Sequence, residues 1–295
     1  MKFFKNLDQK KLKKIVFSLA IAQFAIIFAF SAFQLVRIQW GYAQGQNEYD
    51  EITRIARGEG PEGGADIPDE NDYEPTEKLP NLSEINHEYT GWIEIPGTKV
   101  NYPVVHGGDN EKYLQRTFEG SVNSVGAIFM DYRNTGDFTS RHTIIYGHNV
   151  KNGTMFGSLS SYLSPSFIND NPYIYIYTET ETLRFRVFSA QIVSMYDMSV
   201  YQHNFASGEE FNEFLKHVKA PSGADQILSL STCTNNSQEE RLLVQAVLET
   251  REQGGLFRQT AAIGQPGLRR LAAAAEFGDA LLPKRGLFSL YSQSK

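Results

Sequence analysis

The chain has 295 residues, of which 41% are hydrophobic, so it can build one full-sized core with accessory segments, or two small domains. Its formal net charge of −6 argues against a nucleic-acid-binding protein, which would carry a basic surface. The single cysteine, Cys233, excludes an intramolecular disulfide and any zinc or iron–sulfur site built from several cysteines.

The N-terminal region has the pattern of a membrane anchor. Residues 1–14 contain six lysines and one aspartate, and no charged residue follows from Ile15 to Val36. A helix over this stretch is roughly 33 Å long, and a bilayer core is about 30 Å thick. The apolar part of a signal peptide is shorter, about 7–15 residues. The positive-inside rule therefore predicts a cytoplasmic segment over 1–14, a single transmembrane span over 15–36 and an extracytoplasmic remainder.

Two segments are predicted to lie outside the folded body. Residues 58–78 hold eight acidic residues, one lysine, three prolines and four glycines. Such a segment cannot bury enough apolar surface to offset the entropy of ordering, and we predict a flexible acidic stalk over residues 37–81. The segment 252–295 includes four consecutive alanines. We predict it to be a disordered tail with no assigned role.

Residues 82–251 are predicted to form the folded domain. Short runs of β-branched and aromatic residues alternate here with Gly, Pro, Asn and Asp, a pattern typical of an all-β barrel or sandwich. A helix is predicted over 207–219, where Ser207 can cap the first turn and apolar residues follow at helical spacing. A shorter helix is predicted over Leu82–Tyr89.

The surroundings of Cys233 suggest a reactive thiol. A strand ending at Cys233 and a strand beginning at Arg241 are joined by a polar loop. In an antiparallel hairpin these two residues face each other, with Cβ atoms about 4.5–5.5 Å apart. A guanidinium favours the thiolate and can stabilise an oxyanion. The alternative is a buried cysteine that acts as a small hydrophobic residue, and the residues alone leave both open.

A thiol nucleophile needs a partner that exchanges protons. His148 is the best placed, because it follows a predicted strand after Gly147, where a side chain can reach into a cleft; position alone does not exclude the others. The phosphate-loop signature GxxxxGK[ST] and the HExxH zinc signature are absent from the sequence, so no cofactor or metal is predicted. The six histidines of the chain are His87, His106, His142, His148, His203 and His217.

Several motifs together resemble the sortase family, and class B in particular. These are LSTCTN around Cys233, Arg241 eight residues later, and IIYGHN around His148. The runs GWIEIPGTKVNYPVVHG, FEGSVNSVGAIFMDYRN and GHNVKNGTMFGSLSSY add to the resemblance, as does the helix predicted over 207–219. The family motif TLxTC begins with threonine, whereas this chain has Ser229. The likeness covers residues 82–251 and leaves out the stalk and the tail.

The resemblance implies a closed eight-stranded β-barrel with accessory helices, preceded by the membrane helix. It also implies a membrane-anchored cysteine transpeptidase that cleaves a C-terminal sorting motif of secreted proteins. The new carboxyl end is joined to an amine of a peptidoglycan precursor or a pilin. In that scheme Cys233 is the nucleophile, His148 the general acid and base, and Arg241 the oxyanion or positioning group. Ser231 and Thr232 are predicted to contact the substrate.

Two other functions are compatible with the same residues. An extracytoplasmic cysteine protease or thioesterase would use the Cys, His and Arg site with water as the acceptor. A membrane-anchored binding module would leave the thiol unreactive. A papain-type enzyme is disfavoured because its nucleophile opens a helix, whereas this cysteine ends a predicted strand.

Overall fold

The computed structural model describes residues 9–56, 82–234, 236–237 and 239–253. The α-helices in these ranges are α1 (Gln9–Ala56), α2 (Leu82–Ile85), α3 (Pro165–Asp170) and α4 (Gly208–His217). Lys112–Leu114 and Gly157–Leu163 form 3₁₀ helices. The strands are β1 (Tyr89–Glu94), β2 (Asn101–Val105), β3 (Ile128–Met130), β4 (His142–Tyr146), β5 (Tyr173–Tyr177), β6 (Glu181–Ser194), β7 (Ile227–Cys233) and β8 (Glu240–Gln253).

The eight described strands close into a barrel in the order β1-β2-β3-β4-β7-β8-β6-β5, and β5 pairs with β1 to complete the ring. The β2–β3 and β4–β7 pairs are parallel, and the other pairs are antiparallel. The prediction of a mainly β fold with an eight-stranded barrel is therefore confirmed. In sequence order β7 and β8 come last, yet they lie between β4 and β6.

Side chains alternate between the two faces of each strand, and this alternation separates the core from the site. On β7, Leu228 and Leu230 belong to the main hydrophobic core, whereas Ser229 and Ser231 point to the opposite face. Burial of each large apolar side chain contributes about 1.5–3 kcal/mol. Fully buried members of this core include Ile93, Val104, Ile128, Ile145, Leu183 and Val244.

Helix α4 confirms the helix predicted over 207–219, although it ends at His217. Ser207 is its N-cap, and its Oγ accepts a hydrogen bond from the Glu210 amide at 3.2 Å. The buried face of α4 packs against the barrel. The helix predicted over Leu82–Tyr89 is shorter than expected, because the chain enters β1 at Tyr89.

The prediction of a flexible stalk over 37–81 is wrong for residues 37–56, which continue α1 as one helix. Tyr49, Ile52 and Ala56 are buried in the main core, so this half of the helix is held by apolar contacts with the barrel. The acidic composition that motivated the stalk is confined to residues 58–78, which lie outside the described residues. At the other end, β8 reaches Gln253, two residues into the predicted tail, and 254–295 also lie outside them.

Candidate active site

The hairpin formed by β7 and β8 carries two of the predicted site residues. Cys233 and Arg241 are directly paired next to the loop that joins the two strands, in the register that the sequence predicted. Cys233 is partly exposed and is the last residue of β7. The guanidinium of Arg241 donates from Nη1 to the Glu240 carbonyl at 2.9 Å, and its Nη2 lies 3.7 Å from Sδ of Met195.

His148 reaches the same place from the neighbouring strand. Strand β4 runs parallel to β7, with Tyr146 opposite Ser231, so the residues after Tyr146 leave the barrel beside the end of β7. The side-chain amide of Asn149 donates to the Cys233 carbonyl at 2.9 Å and ties the two strand ends together. Parallel pairing of these two strands therefore places the histidine segment beside the cysteine.

The ring of His148 is oriented by a backbone carbonyl. Its Nε2 lies 2.7 Å from the carbonyl oxygen of Leu114. A carbonyl can only accept, so Nε2 carries the hydrogen in this contact. Nδ1 is then the ring nitrogen that remains for exchanging a proton with a substrate.

A cavity of about 350 Å³ brings the predicted residues together. Cys233, His148 and Arg241 all line it, and so do Ser231 and Thr232. A smaller cavity of about 160 Å³ adjoins the same cysteine and shares Thr232 and Cys233 in its lining. The sequence therefore identified five residues that the fold places around one cavity.

Ser231 and Thr232 have little exposed surface. Ser231 is 2% exposed, and its Oγ lies 3.0 Å from the hydroxyl of Tyr201. Thr232 is 3% exposed, and its buried Oγ1 has no hydrogen-bond partner among the described residues. A substrate can therefore meet only small parts of these two side chains.

Beside the cavity lies an ion pair between the buried Asp131 and the partly exposed Arg133, which the sequence analysis missed. Arg133 donates two hydrogen bonds of 2.8 Å to Asp131, which is fully buried and also accepts from Tyr146 at 2.9 Å and Asn110 at 3.1 Å. Burial alone would raise the pKa of Asp131, but the hydrogen bonds and charge of Arg133 lower it to about 2. Arg133, Tyr146 and Asn110 line the cavity, and the spacing Asp-x-Arg at the end of β3 was the available signal.

Among the other candidate histidines, His142 is fully buried beneath the site. Its Nδ1 donates to the Gln202 carbonyl at 2.6 Å, and its Nε2 accepts from Ser229 Oγ at 2.7 Å. Gln202 follows Tyr201, which lines the cavity. The hydrogen bond from His142 therefore holds the segment between β6 and α4 that forms one wall of the cavity. Burial lowers the pKa of His142 to about 4. His217 lies on the exposed face of α4.

Acid is expected to weaken the fold through His142. An unfolded histidine has a pKa of 6.5, so between pH 6.5 and 4 the unfolded chain binds a proton that the buried ring does not. The free energy of unfolding should fall over this window by up to about 1.4 kcal/mol per pH unit. Urea unfolding at successive pH values measures it. His142→Gln should flatten this slope, whereas His217→Gln should leave it unchanged. A flat profile in the unmodified protein contradicts the assignment.

Comparison with known proteins agrees with this geometry. Residues 93–249 match the family profile of the sortase domain. Sortase B of Listeria monocytogenes is 31% identical over 189 residues, which are 60% of this chain and 76% of that protein. Sortase B of Staphylococcus aureus is 34% identical over 177 residues, 56% of this chain and 72% of that protein.

A solved structure shows the same fold. The crystal structure of sortase B from Bacillus anthracis in complex with AAEK1 superposes with a TM-score of 0.59 at 31% identity, covering 72% of this chain and all of that chain. The profile spans more than half of the sequence, and it includes Cys233, His148 and Arg241. The chain therefore belongs to the sortase family of cysteine transpeptidases, as a class B member.

Proposed function

We propose that the protein is anchored in the cell membrane and transfers secreted proteins to an amine on the outside of the cell. In this proposal Cys233 cleaves a sorting motif near the C-terminus of the secreted protein. The acyl group then passes to a peptidoglycan precursor or a pilin. The observation that carries the proposal is the convergence of Cys233, His148 and Arg241 on one cavity.

The chemistry divides into two balanced steps. In the first, Sγ of Cys233 attacks the scissile carbonyl, the carbon–nitrogen bond breaks, and the thiol proton reaches the leaving amine through His148. The product is a thioester on Cys233. In the second, the acceptor amine attacks the thioester, loses a proton through His148, and restores the thiol. Arg241 supplies positive charge to the oxyanion that forms in each step.

The lining of the cavity supports a peptide substrate. Leu114, Phe129 and Met198 contribute apolar surface, and Asn110 and Arg133 contribute hydrogen-bond donors on the same lining. Pockets with mostly apolar walls and a few placed polar groups are typical of ligand sites. Ser231 and Thr232 are proposed to contact the substrate through the small part of each that is exposed.

The membrane proposal rests on α1. Its residues Leu12–Ala56 form a helix long and apolar enough to cross a membrane, and the large apolar side chains between Ile15 and Val36 are exposed. The lysines before this span favour a cytoplasmic N-terminus with the barrel outside. The catalytic cavity would then face secreted substrates.

One experiment tests both the reaction and its location. A charged, fluorescent pool of random pentapeptides, which cannot cross a membrane, is added to intact cells that express the full chain, together with triglycine or a diaminopimelate-containing peptide. We expect ligated products from intact cells at a rate similar to that after detergent lysis. Products that appear only after lysis contradict the outward orientation. Hydrolysed peptides without ligation in either case favour the protease alternative.

A further inference from the structure

The half of α1 that follows the membrane-spanning stretch is part of the folded domain. Tyr49 is 2% exposed and Ile52 is fully buried, and the Tyr49 ring packs edge to face on Tyr102 with centroids 5.3 Å apart. This segment, residues 41–56, is called the docking segment below. Residues between Ile15 and Val36 make no such contacts, since their large apolar side chains are exposed.

The docking segment binds one loop of the barrel, residues 114–126, through backbone groups. The Tyr49 hydroxyl donates to the Gly126 carbonyl at 2.7 Å and lies 3.3 Å from the Phe118 amide. Glu48 accepts from the Glu119 amide at 3.0 Å. At the other end, the side chain of Asn123 donates to the Gly41 carbonyl at 2.8 Å. The 114–126 loop is therefore held along most of its length by the helix.

The packing between helix and loop is close. A methyl group on Gly45 would lie 2.5 Å from Cγ2 of Val125, nearer than nonbonded carbon atoms approach. Within the loop, Arg116 and Val122 form an isolated antiparallel bridge, so this pairing is internal to the loop. Asn86 adds one anchor by donating to the Phe118 carbonyl at 2.7 Å.

Both ends of the 114–126 loop contact His148. At one end, the Leu114 carbonyl accepts the hydrogen bond that orients the imidazole, at 2.7 Å. At the other end, Gly126 lies against the ring, where an added methyl group would be 2.9 Å from Cδ2 of His148. Gly126 also has a positive φ of 61°, which favours glycine. The same Gly126 carries the carbonyl that Tyr49 binds.

We propose that Tyr49 is a positioning residue for the transpeptidase reaction: through the 114–126 loop, the docking segment fixes the imidazole of His148 beside Cys233. The inference rests on the proposed role of His148 as the acid and base. A helix that also carries the membrane anchor therefore completes the site. Misplacement of a catalytic group by about 1 Å can cost on the order of 10²-fold in rate, so the effect is measurable.

The test compares two Tyr→Phe variants in the full chain, purified in detergent. Tyr49→Phe keeps the ring and removes the hydroxyl that donates a hydrogen bond to the Gly126 carbonyl. Tyr162→Phe is the matched control, because Tyr162 is 1% exposed, donates to the Asn171 carbonyl at 2.9 Å and does not line the cavity. We expect Tyr49→Phe to slow turnover of the pentapeptide pool by about tenfold or more and Tyr162→Phe to change it less than twofold, with similar melting temperatures.

A second readout does not depend on activity. With ¹³C-labelled histidine, the ring resonance of His148, assigned from its loss in His148→Gln, should shift in Tyr49→Phe and stay in place in Tyr162→Phe. An unmoved resonance, or equal rate losses in the two variants, overturns the inference. Full turnover in His148→Ala would instead overturn the proposed function, so the two failures are distinct.

Discussion

Replacement of Cys233 by alanine is expected to abolish both cleavage and ligation while leaving the barrel folded. The side chain is small and partly exposed at the end of β7, so its truncation removes little packing. Loss of the nucleophile in a covalent mechanism costs about 10⁴-fold or more in rate. Mass spectrometry of the intact protein incubated with the peptide pool should show an acyl adduct on the unmodified chain and none on Cys233→Ala.

His148→Ala serves as the companion variant. It keeps the thiol and removes the group that we propose exchanges protons, and general acid–base catalysis contributes about 10²–10⁴-fold. Because the chain has one cysteine, a maleimide reagent labels a single site, and the labelled fraction reports directly on Cys233. We expect His148→Ala to label with maleimide yet to accumulate little acyl adduct. Cleavage and ligation by Cys233→Ala would falsify the whole assignment.

Replacement of Arg241 by lysine is expected to reduce the rate by about 10²–10³-fold, comparable with removal of a donor from an oxyanion hole. Lysine keeps the charge but loses the planar fork. The guanidinium is bound to the Glu240 carbonyl and lies near Met195, so its direction is set by the ends of β6 and β8. Steady-state turnover and the rate of adduct formation both measure the loss.

Arg186→Lys is the control for this charge-conserving change. Arg186 lies on β6, is exposed, contacts Tyr173 and Glu249, and does not line the cavity. Its replacement should leave the rate within twofold of the unmodified chain. Near-normal turnover in Arg241→Lys would mean that Arg241 acts only through its positive charge. Near-normal turnover in Arg241→Ala would remove it from the site.

The parts of the fold that sequence could predict are those fixed by local pattern. The hairpin register that pairs Cys233 with Arg241 follows from two β-rich runs joined by a polar loop. The start of α4 follows from the Ser207 cap. Its position after a predicted strand favoured His148 among the six histidines, and the family resemblance decided the choice. Its place beside Cys233 depends on the parallel pairing of β4 with β7, which no local pattern encodes.

What sequence could not predict depends on contacts between distant segments. From sequence, residues 37–56 are interpreted as part of a stalk. The contacts that bury Tyr49, Ile52 and Ala56 are made with the barrel, and the local sequence does not show them. Asp131 and Arg133 are only two residues apart in the sequence. The position of their ion pair beside the cavity nevertheless depends on the hydrogen bond from Tyr146 of β4 to Asp131. Tertiary contacts of this kind also placed Met195 and Tyr201 at the site.

The order of strands around the barrel links folding to activity. Strands β7 and β8 enter the ring last in sequence, between β4 and β6, and they bring Cys233 and Arg241 with them. A chain that lacks them has two unpaired strand edges, which expose backbone donors and acceptors and promote aggregation. Pairing between segments so far apart in sequence is slow to form. Closure of the barrel and assembly of the site therefore require the same strand pairings, and a chain that has not formed them lacks the paired Cys233 and Arg241.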